Sequence, residues 1–204
     1  YVCVASAPAH REQLQADLQR WRSLGFGEGD VRWLSPEECA ARVRSQRNLG
    51  GPFLAHCAAI HPARLARGLA DAVERRGVAI YERSPALAID PGTVRLRGAQ
   101  LRAETVVCAT EAYSRTLSGQ VRRLVPMHSM MVATQPLSED VWKEIGLERR
   151  EAFSDARRIV VYGQRPPDGR LAFGSRGRYL FGSAVPERFA DDSRDYARVE
   201  RILA

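Results

Sequence analysis

The residues whose types and spacing invite chemistry are a glycine cluster, a histidine–cysteine cluster and a strand-like run that ends in small side chains. Gly25-Phe26-Gly27-Glu28-Gly29 has the glycine density of a phosphate-binding loop. Such a loop needs a strand before it and a helix after it, so that phosphate meets a helix N-terminus. Here a helical stripe (Leu14, Leu18, Trp21, Leu24) comes before, and a strand pattern, Val31-Arg32-Trp33-Leu34, comes after. The cluster therefore reads as a flexible connection. His56, Cys57 and His61 are metal-ligand types, but their spacing matches no common zinc arrangement and no second pair accompanies them. No metal site is expected, and His61 is placed at the entry to a helix. No Ser/His/Asp set and no paired carboxylates stand out.

The third pattern, Thr105-Val106-Val107-Cys108-Ala109-Thr110, is a continuous apolar run of strand length. It reads as a parallel strand covered on both faces, with Ala109-Thr110-Glu111 at its carboxyl end. In open α/β sheets ligands sit beyond that end, and small side chains there let a flat cofactor approach the backbone. The elements that would position it begin with a helix from Pro62, where proline suits the first helical position, to Gly77, which suits the residue past the end. Leu65, Leu69 and Val73 recur every four residues and are expected to face a core. Val78-Ala79-Ile80-Tyr81 reads as the next strand. Val94-Arg95-Leu96-Arg97, a Gly98-Ala99 turn and Leu101-Arg102-Ala103 read as a β hairpin with one covered face.

Elsewhere, residues 1–6 read as a strand and residues 9–24 as a helix. Ser35-Pro36-Glu37-Glu38 is a capped helix start, with the helix expected to run to about Val43. Residues 53–60 look extended. Residues 125–134 read as a strand and 138–145 as a short helix; 158–163 and 170–174 read as strands joined by Pro166-Pro167-Asp168-Gly169. A helix is expected from about Asp195. Consecutive strands with tight turns point to an antiparallel or mixed sheet. The expected fold class is α/β (α+β): a partial Rossmann-like nucleotide-binding unit with a β-hairpin excursion, interwoven with a mixed or antiparallel substrate domain. The division is 1–60 (substrate-domain and connecting elements), 61–119 (partial nucleotide-binding unit) and 120–204 (substrate-binding domain).

The totals bound this reading. At 204 residues, 45% hydrophobic and 27% charged, the composition is that of a soluble globular chain. No apolar run reaches membrane-span length. The net charge of +7 comes almost wholly from arginine, because Lys143 is the only lysine, and it is dispersed among acids. Without a basic block interleaved with aromatics, no nucleic-acid partner is expected. Cys3, Cys39, Cys57 and Cys108 show no C-x-x-C spacing and read as buried, reduced thiols of a cytoplasmic protein. The chain lacks an initial Met and stops in an amphipathic pattern, so both ends are expected to lie inside a longer polypeptide.

The order I-H-P-A-R-L-A-R-G-L (60–69), G-V-A-I-Y-E (77–82), V-V-C-A-T-E-A-Y (106–113), V-A-T-Q-P-L (132–137), D-G-R-L-A-F-G (168–174) and Y-L-F-G-S-A-V-P-E-R-F (179–189) resembles FAD-dependent oxidoreductases of the D-amino-acid oxidase superfamily. Within it, the chain is most similar to the γ-glutamylputrescine oxidase and sarcosine/glycine oxidase-like branch. The resemblance covers nearly the whole chain. It implies an interior portion of such an enzyme, without the amino-terminal G-x-G-x-x-G loop and the late glycine-rich stretch that complete the flavin site. It implies FAD as cofactor of the full-length protein, bound weakly or not at all by this chain alone, and a small amine or amino acid as partner. It places Ala86 where a backbone contact to the adenine portion is usual, and Ala109 and Thr110 at the strand end beside the cofactor. Glu111 departs from the usual Asn or Gly and would set a carboxylate near the pyrophosphate. Tyr162, Arg165 and Arg176 are the implied substrate-binding candidates, since guanidinium pairs bidentately with a carboxylate. The implied chemistry moves a hydride from the carbon beside an amine to the flavin, followed by imine hydrolysis, and names no catalytic side chain. A non-catalytic binding module that keeps the substrate-domain architecture without a complete cofactor site is the alternative.

Overall fold

The computed structural model describes residues 1–120, 122–125, 127–157, 160–179 and 197. These fall into two compact units, one built from Tyr1–Ile60 and Ser129–Arg178, the other from His61–His128.

The first unit is organised by a seven-stranded mixed sheet in the order β2-β3-β1-β8-β9-β10-β7. Its strands are β1 (Val2–Val4), β2 (Val31–Leu34), β3 (Gly51–Leu54), β7 (Met127–Ala133), β8 (Phe153–Asp155), β9 (Val161–Gln164) and β10 (Ala172–Tyr179). β1 runs parallel to β8 and antiparallel to β3; β8, β9 and β10 are successively antiparallel. Segments from both ends of the chain thus share one sheet, and the mixed-sheet expectation holds. β3 comes so close to β1 that a Cβ on Gly51 would overlap the Cys3 carbonyl, so only glycine fits there.

Strand alternation divides the sheet's residues between two faces. On one face lie Val2, Val4, Val161, Phe173 and Met130, which join Leu34, Cys39, Val43, Trp142, Leu147 and Leu171 in the core cluster. Two short helices supply that cover. α2 (Pro36–Ala40) starts at a complete capping box: Ser35 Oγ accepts from the Glu38 N–H while Glu38 accepts from the Ser35 N–H. It ends before the expected Val43, because residues 42–44 turn away to bond the loop after α4 (Arg44 N–H to Ile145 O, 2.8 Å; Val43 bridges Gly146). α4 (Glu139–Ile145), capped by Ser138, buries Trp142 to 1% exposure, and the indole N–H donates to Gly169 O at 3.1 Å. On the other face α1 (Pro8–Ser23) runs beside β2 and β3, and Leu14, Leu18 and Trp21 line an apolar cleft with Cys3 and Leu54.

The second unit contains α3 (Pro62–Glu74) and a three-stranded antiparallel sheet, β4 (Ala88–Asp90), β5 (Thr93–Leu96) and β6 (Ala99–Arg102). The helix and hairpin form where the sequence places them, and His61 Nδ1 caps α3 by accepting from the Arg64 N–H at 3.3 Å. Several other expectations are corrected. The Leu65–Leu69–Val73 stripe faces no core: Leu65 is 48% and Leu69 57% exposed. Residues 78–81 and 105–110 form no strand, and Val107 is 82% exposed rather than covered on both faces. The hairpin's β6 is exposed along its whole length. A ladder exists only where a neighbouring strand supplies partners, and among the described residues these segments have none. The amphipathic pattern records what a segment is suited to bury, and this unit does not cover it. Residues 53–60 are extended only as far as Leu54. The run at 180–189 and the helix expected from about 195, Ala197 apart, lie outside the described residues.

Candidate functional site

The sequence-predicted residues occupy both units. In the second, Ala86 is half-buried in the loop before β4, and Ala109 is exposed at the end of the extended run. Thr110 starts a 3-10 turn, residues 111–116, and its hydroxyl shares hydrogen bonds with Ser114 Oγ (2.7 Å) and Cys108 Sγ (3.2 Å). The Thr110 hydroxyl lowers the Cys108 thiol below its ordinary value. Glu111 has φ +47°, the left-handed region that suits Asn or Gly better than a longer side chain. Its carboxylate folds back to accept from the Ala112 N–H.

In the first unit, Tyr162 on β9 pairs with Gly174 on β10 and with Ser154 on β8. It alternates with the buried Val161 and Gly163, so it lies on the face opposite the core cluster. Its hydroxyl shares a short hydrogen bond with Ser129 Oγ on the edge strand β7, where Ser129 and Met131 are exposed and Met130 is buried. One strand further on, Ser154 Oγ donates to Cys3 Sγ at 3.4 Å and is hydrogen-bonded to the Tyr1 hydroxyl. Burial pushes that Tyr1 phenol up to about 12. Ser129, Tyr162, Ser154 and Cys3 thus form a polar row across the sheet. α1 runs beside β2 and β3, and among the described residues of this unit no helix lies over the half of this face formed by β9, β10 and β7.

Arg165 follows β9 and is turned to the other face. Its guanidinium donates to Glu139 Oε1 at 2.8 Å and lies 4.5 Å over the Trp142 ring. The structure therefore separates Tyr162 from Arg165 by the thickness of the sheet. Arg176 lies on β10, and its side chain is outside the described residues. Sequence reading did not single out Ser129 or Gly174. Ser129 reaches Tyr162 across 33 residues of sequence, for which no local pattern exists, whereas Gly174 faces it through the register of the β9–β10 hairpin.

No group of His, Cys, Asp or Glu side chains among the described residues is arranged to hold a metal. His56 instead pairs with Asp30 at 3.1 Å. All four cysteines are free; Cys3 and Cys39 are buried as expected, whereas Cys57 and Cys108 are exposed, being on segments outside the core. No described helix is long and apolar enough to cross a membrane. For a dinucleotide cofactor the residues present fit a wall but not a cradle. Ala86 and Ala109 leave the backbone approachable, yet no strand–glycine loop–helix turn is present among the described residues to hold phosphates.

A family model described as "DAO: FAD dependent oxidoreductase" matches residues 1–204. The chain is 27% identical over 180 residues to the "Gamma-glutamylputrescine oxidoreductase" of Escherichia coli (strain K12), covering 85% of this chain and 41% of that protein. It is 26% identical over 168 residues to the "Probable oxidoreductase OrdL" of Haemophilus influenzae, covering 78% of this chain and 39% of that protein. The chain thus spans about two fifths of the length of the curated relatives it matches. Among solved structures, the fold is similar to that of a mutant of NikD, described as an unusual amino acid oxidase. The TM-score is 0.54 at 13% identity, covering 93% of this chain and 51% of that one. Because the family model extends over every residue, the chain belongs to the FAD-dependent oxidoreductase (DAO) family.

Proposed function

We propose that this chain is part of a flavoenzyme that oxidises the C–N bond of a small amine or amino acid, and that the open half of the first unit's sheet is its substrate face. FAD, when bound, would accept the hydride from the carbon beside nitrogen; a proton leaves the nitrogen, and water then hydrolyses the imine to a carbonyl compound and the released amine. The single observation that carries the reading is the Tyr162–Ser129 hydroxyl pair on a sheet face with no helix over it, in a chain of an FAD-dependent family. The name of the Escherichia coli relative supports an amine substrate. Tyr162 would orient a polar group of the substrate. Arg165 would serve to hold α4, because its charge is already matched by Glu139. In this reading residues 61–119 supply the adenine-side wall through Ala86, Ala109 and Thr110, and 120–204 with 1–60 form the substrate side. The buried free thiols Cys3 and Cys39 support a cytoplasmic setting.

A second reading, a binding module without catalysis, is favoured by Glu111, whose carboxylate occupies the Ala112 donor at the start of the 3-10 turn. The two part on one experiment. The full-length protein carrying these residues is purified and mixed anaerobically with γ-glutamyl amines, sarcosine, glycine and D-amino acids. The enzyme reading expects a yellow protein whose flavin absorption bleaches with at least one of them. A colourless protein that binds such a compound would establish the module instead. The isolated chain is expected to purify without stoichiometric FAD.

A further inference from the structure

The geometry points to Gly174 as a positioning residue for Tyr162, an inference that rests on reading Tyr162 as the substrate contact. Tyr162 stands on β9 and its hydrogen-bond partner Ser129 on β7, with β10 between them. Neighbouring strands are about 4.8 Å apart, so the side chains of Tyr162 and Ser129 together span roughly 9.5 Å along the sheet surface. The phenol can make that crossing only by lying nearly flat over β10. The residue it crosses is Gly174, its direct register partner. A Cβ built on Gly174 would meet Tyr162 Cε2, Cζ and the hydroxyl oxygen, the last at 2.7 Å. Those three atoms are the working end of the ring rather than its stem.

Backbone conformation does not demand glycine at this position. Gly174 has no left-handed φ, unlike Gly169 in the preceding turn (φ +75°). A glycine inside a strand weakens it relative to alanine in unhindered sites. What distinguishes position 174 is therefore the space that the ring occupies. Any side chain there lifts the phenol off the sheet and breaks its bond to Ser129, so the hydroxyl no longer points where the hydroxyl pair now holds it.

The test is a double-mutant cycle in the full-length protein with Gly174→Ala, Tyr162→Phe, Tyr162→Ala and the Gly174→Ala/Tyr162→Ala pair, reading substrate KM, kcat and the thermal unfolding midpoint. Gly174→Ala should raise KM about five- to tenfold, the value of a displaced hydrogen bond, with a smaller change in kcat. In the Tyr162→Ala background, where no ring is present to be displaced, the same substitution should leave KM unchanged and should no longer lower the midpoint. A wild-type KM in Gly174→Ala, or an equal loss with and without the ring, overturns the inference. If Tyr162→Phe keeps the wild-type KM, the substrate reading of Tyr162 fails separately. The midpoint cycle then still decides whether Gly174 seats the ring: coupling between positions 174 and 162 upholds the seat, and additivity removes it.

Discussion

Cys39 shows how one buried residue sets a pH limit on this fold. The thiol is fully buried in the core cluster, and burial, with a smaller contribution from the Glu38 carboxylate, pushes it up to about 11 from an ordinary value of 9.0. The folded-state value is raised, so the stabilisation is complete below the unfolded value and is lost as pH rises toward the folded one. Between pH 8 and pH 10 the unfolded chain ionises at this position and the folded chain does not. The expected loss is about 1.4 kcal/mol, the worth of one pH unit past the unfolded value. Urea titrations at both pH values should show most of that slope vanish in Cys39→Ala, even though removing the buried sulfur costs stability at every pH. Glu111 allows a second residue-level prediction. Its left-handed backbone (φ +47°) suits asparagine, which hydrogen-bonds locally and tolerates that conformation. Glu111→Asn should stabilise the chain by about 0.5–1 kcal/mol in urea unfolding, and a loss of stability would show that the carboxylate's bond to the Ala112 N–H outweighs the strain.

At the scale of elements, the helices depend on local signals and the strands do not. α2 is set by Ser35 and Glu38 together, and both halves of the box form, with Glu38 Oε2 accepting from the Ser35 N–H at 2.9 Å. Ser35→Ala should cost about 1 kcal/mol in thermal or chemical unfolding, and Ser35→Asp should recover most of it. This contrast explains what was legible in the sequence. The starts of α2 and α3 were readable because serine and proline act within one turn. The β9–β10 hairpin was readable because Pro166-Pro167-Asp168-Gly169 closes it locally. Residues 78–81 and 105–110 carry apolar strand composition, but pairing requires a partner from elsewhere in the chain, and none of the described strands supplies one. The same non-local dependence hid Ser129. Tyr162 was implied by the family resemblance, whereas its contact with Ser129 follows only from the placement of β7 beside β10. Arg165 had the right chemistry for a carboxylate, and only the position of α4 reveals that Glu139 and Trp142 already hold it.

At the scale of the whole molecule, the apolar face of α3 is the feature that most needs a physical account. Leu65, Leu69 and Val73 are aligned, exposed and accompanied in the same unit by exposed Val78, Ile80 and Val107. A soluble protein does not maintain a stripe of this kind without a use for it. The curated relatives are more than twice as long as the stretch they share with this chain, and on the proposed reading the polypeptide beyond that stretch would lie over this face. Two substitutions at one site separate intrinsic helix stability from that cover. In the chain as given, Leu69→Glu should leave the unfolding midpoint within about 0.5 kcal/mol of wild type, because the side chain is already in water, and should reduce binding of a hydrophobic dye. In the full-length protein the same substitution should cost several-fold more, since it would force a carboxylate into an apolar contact; Leu69→Met, of similar volume, should be tolerated in both. Equal, small effects of Leu69→Glu in the two settings would show that α3 keeps its apolar face in solvent even in the longer protein of the proposed reading.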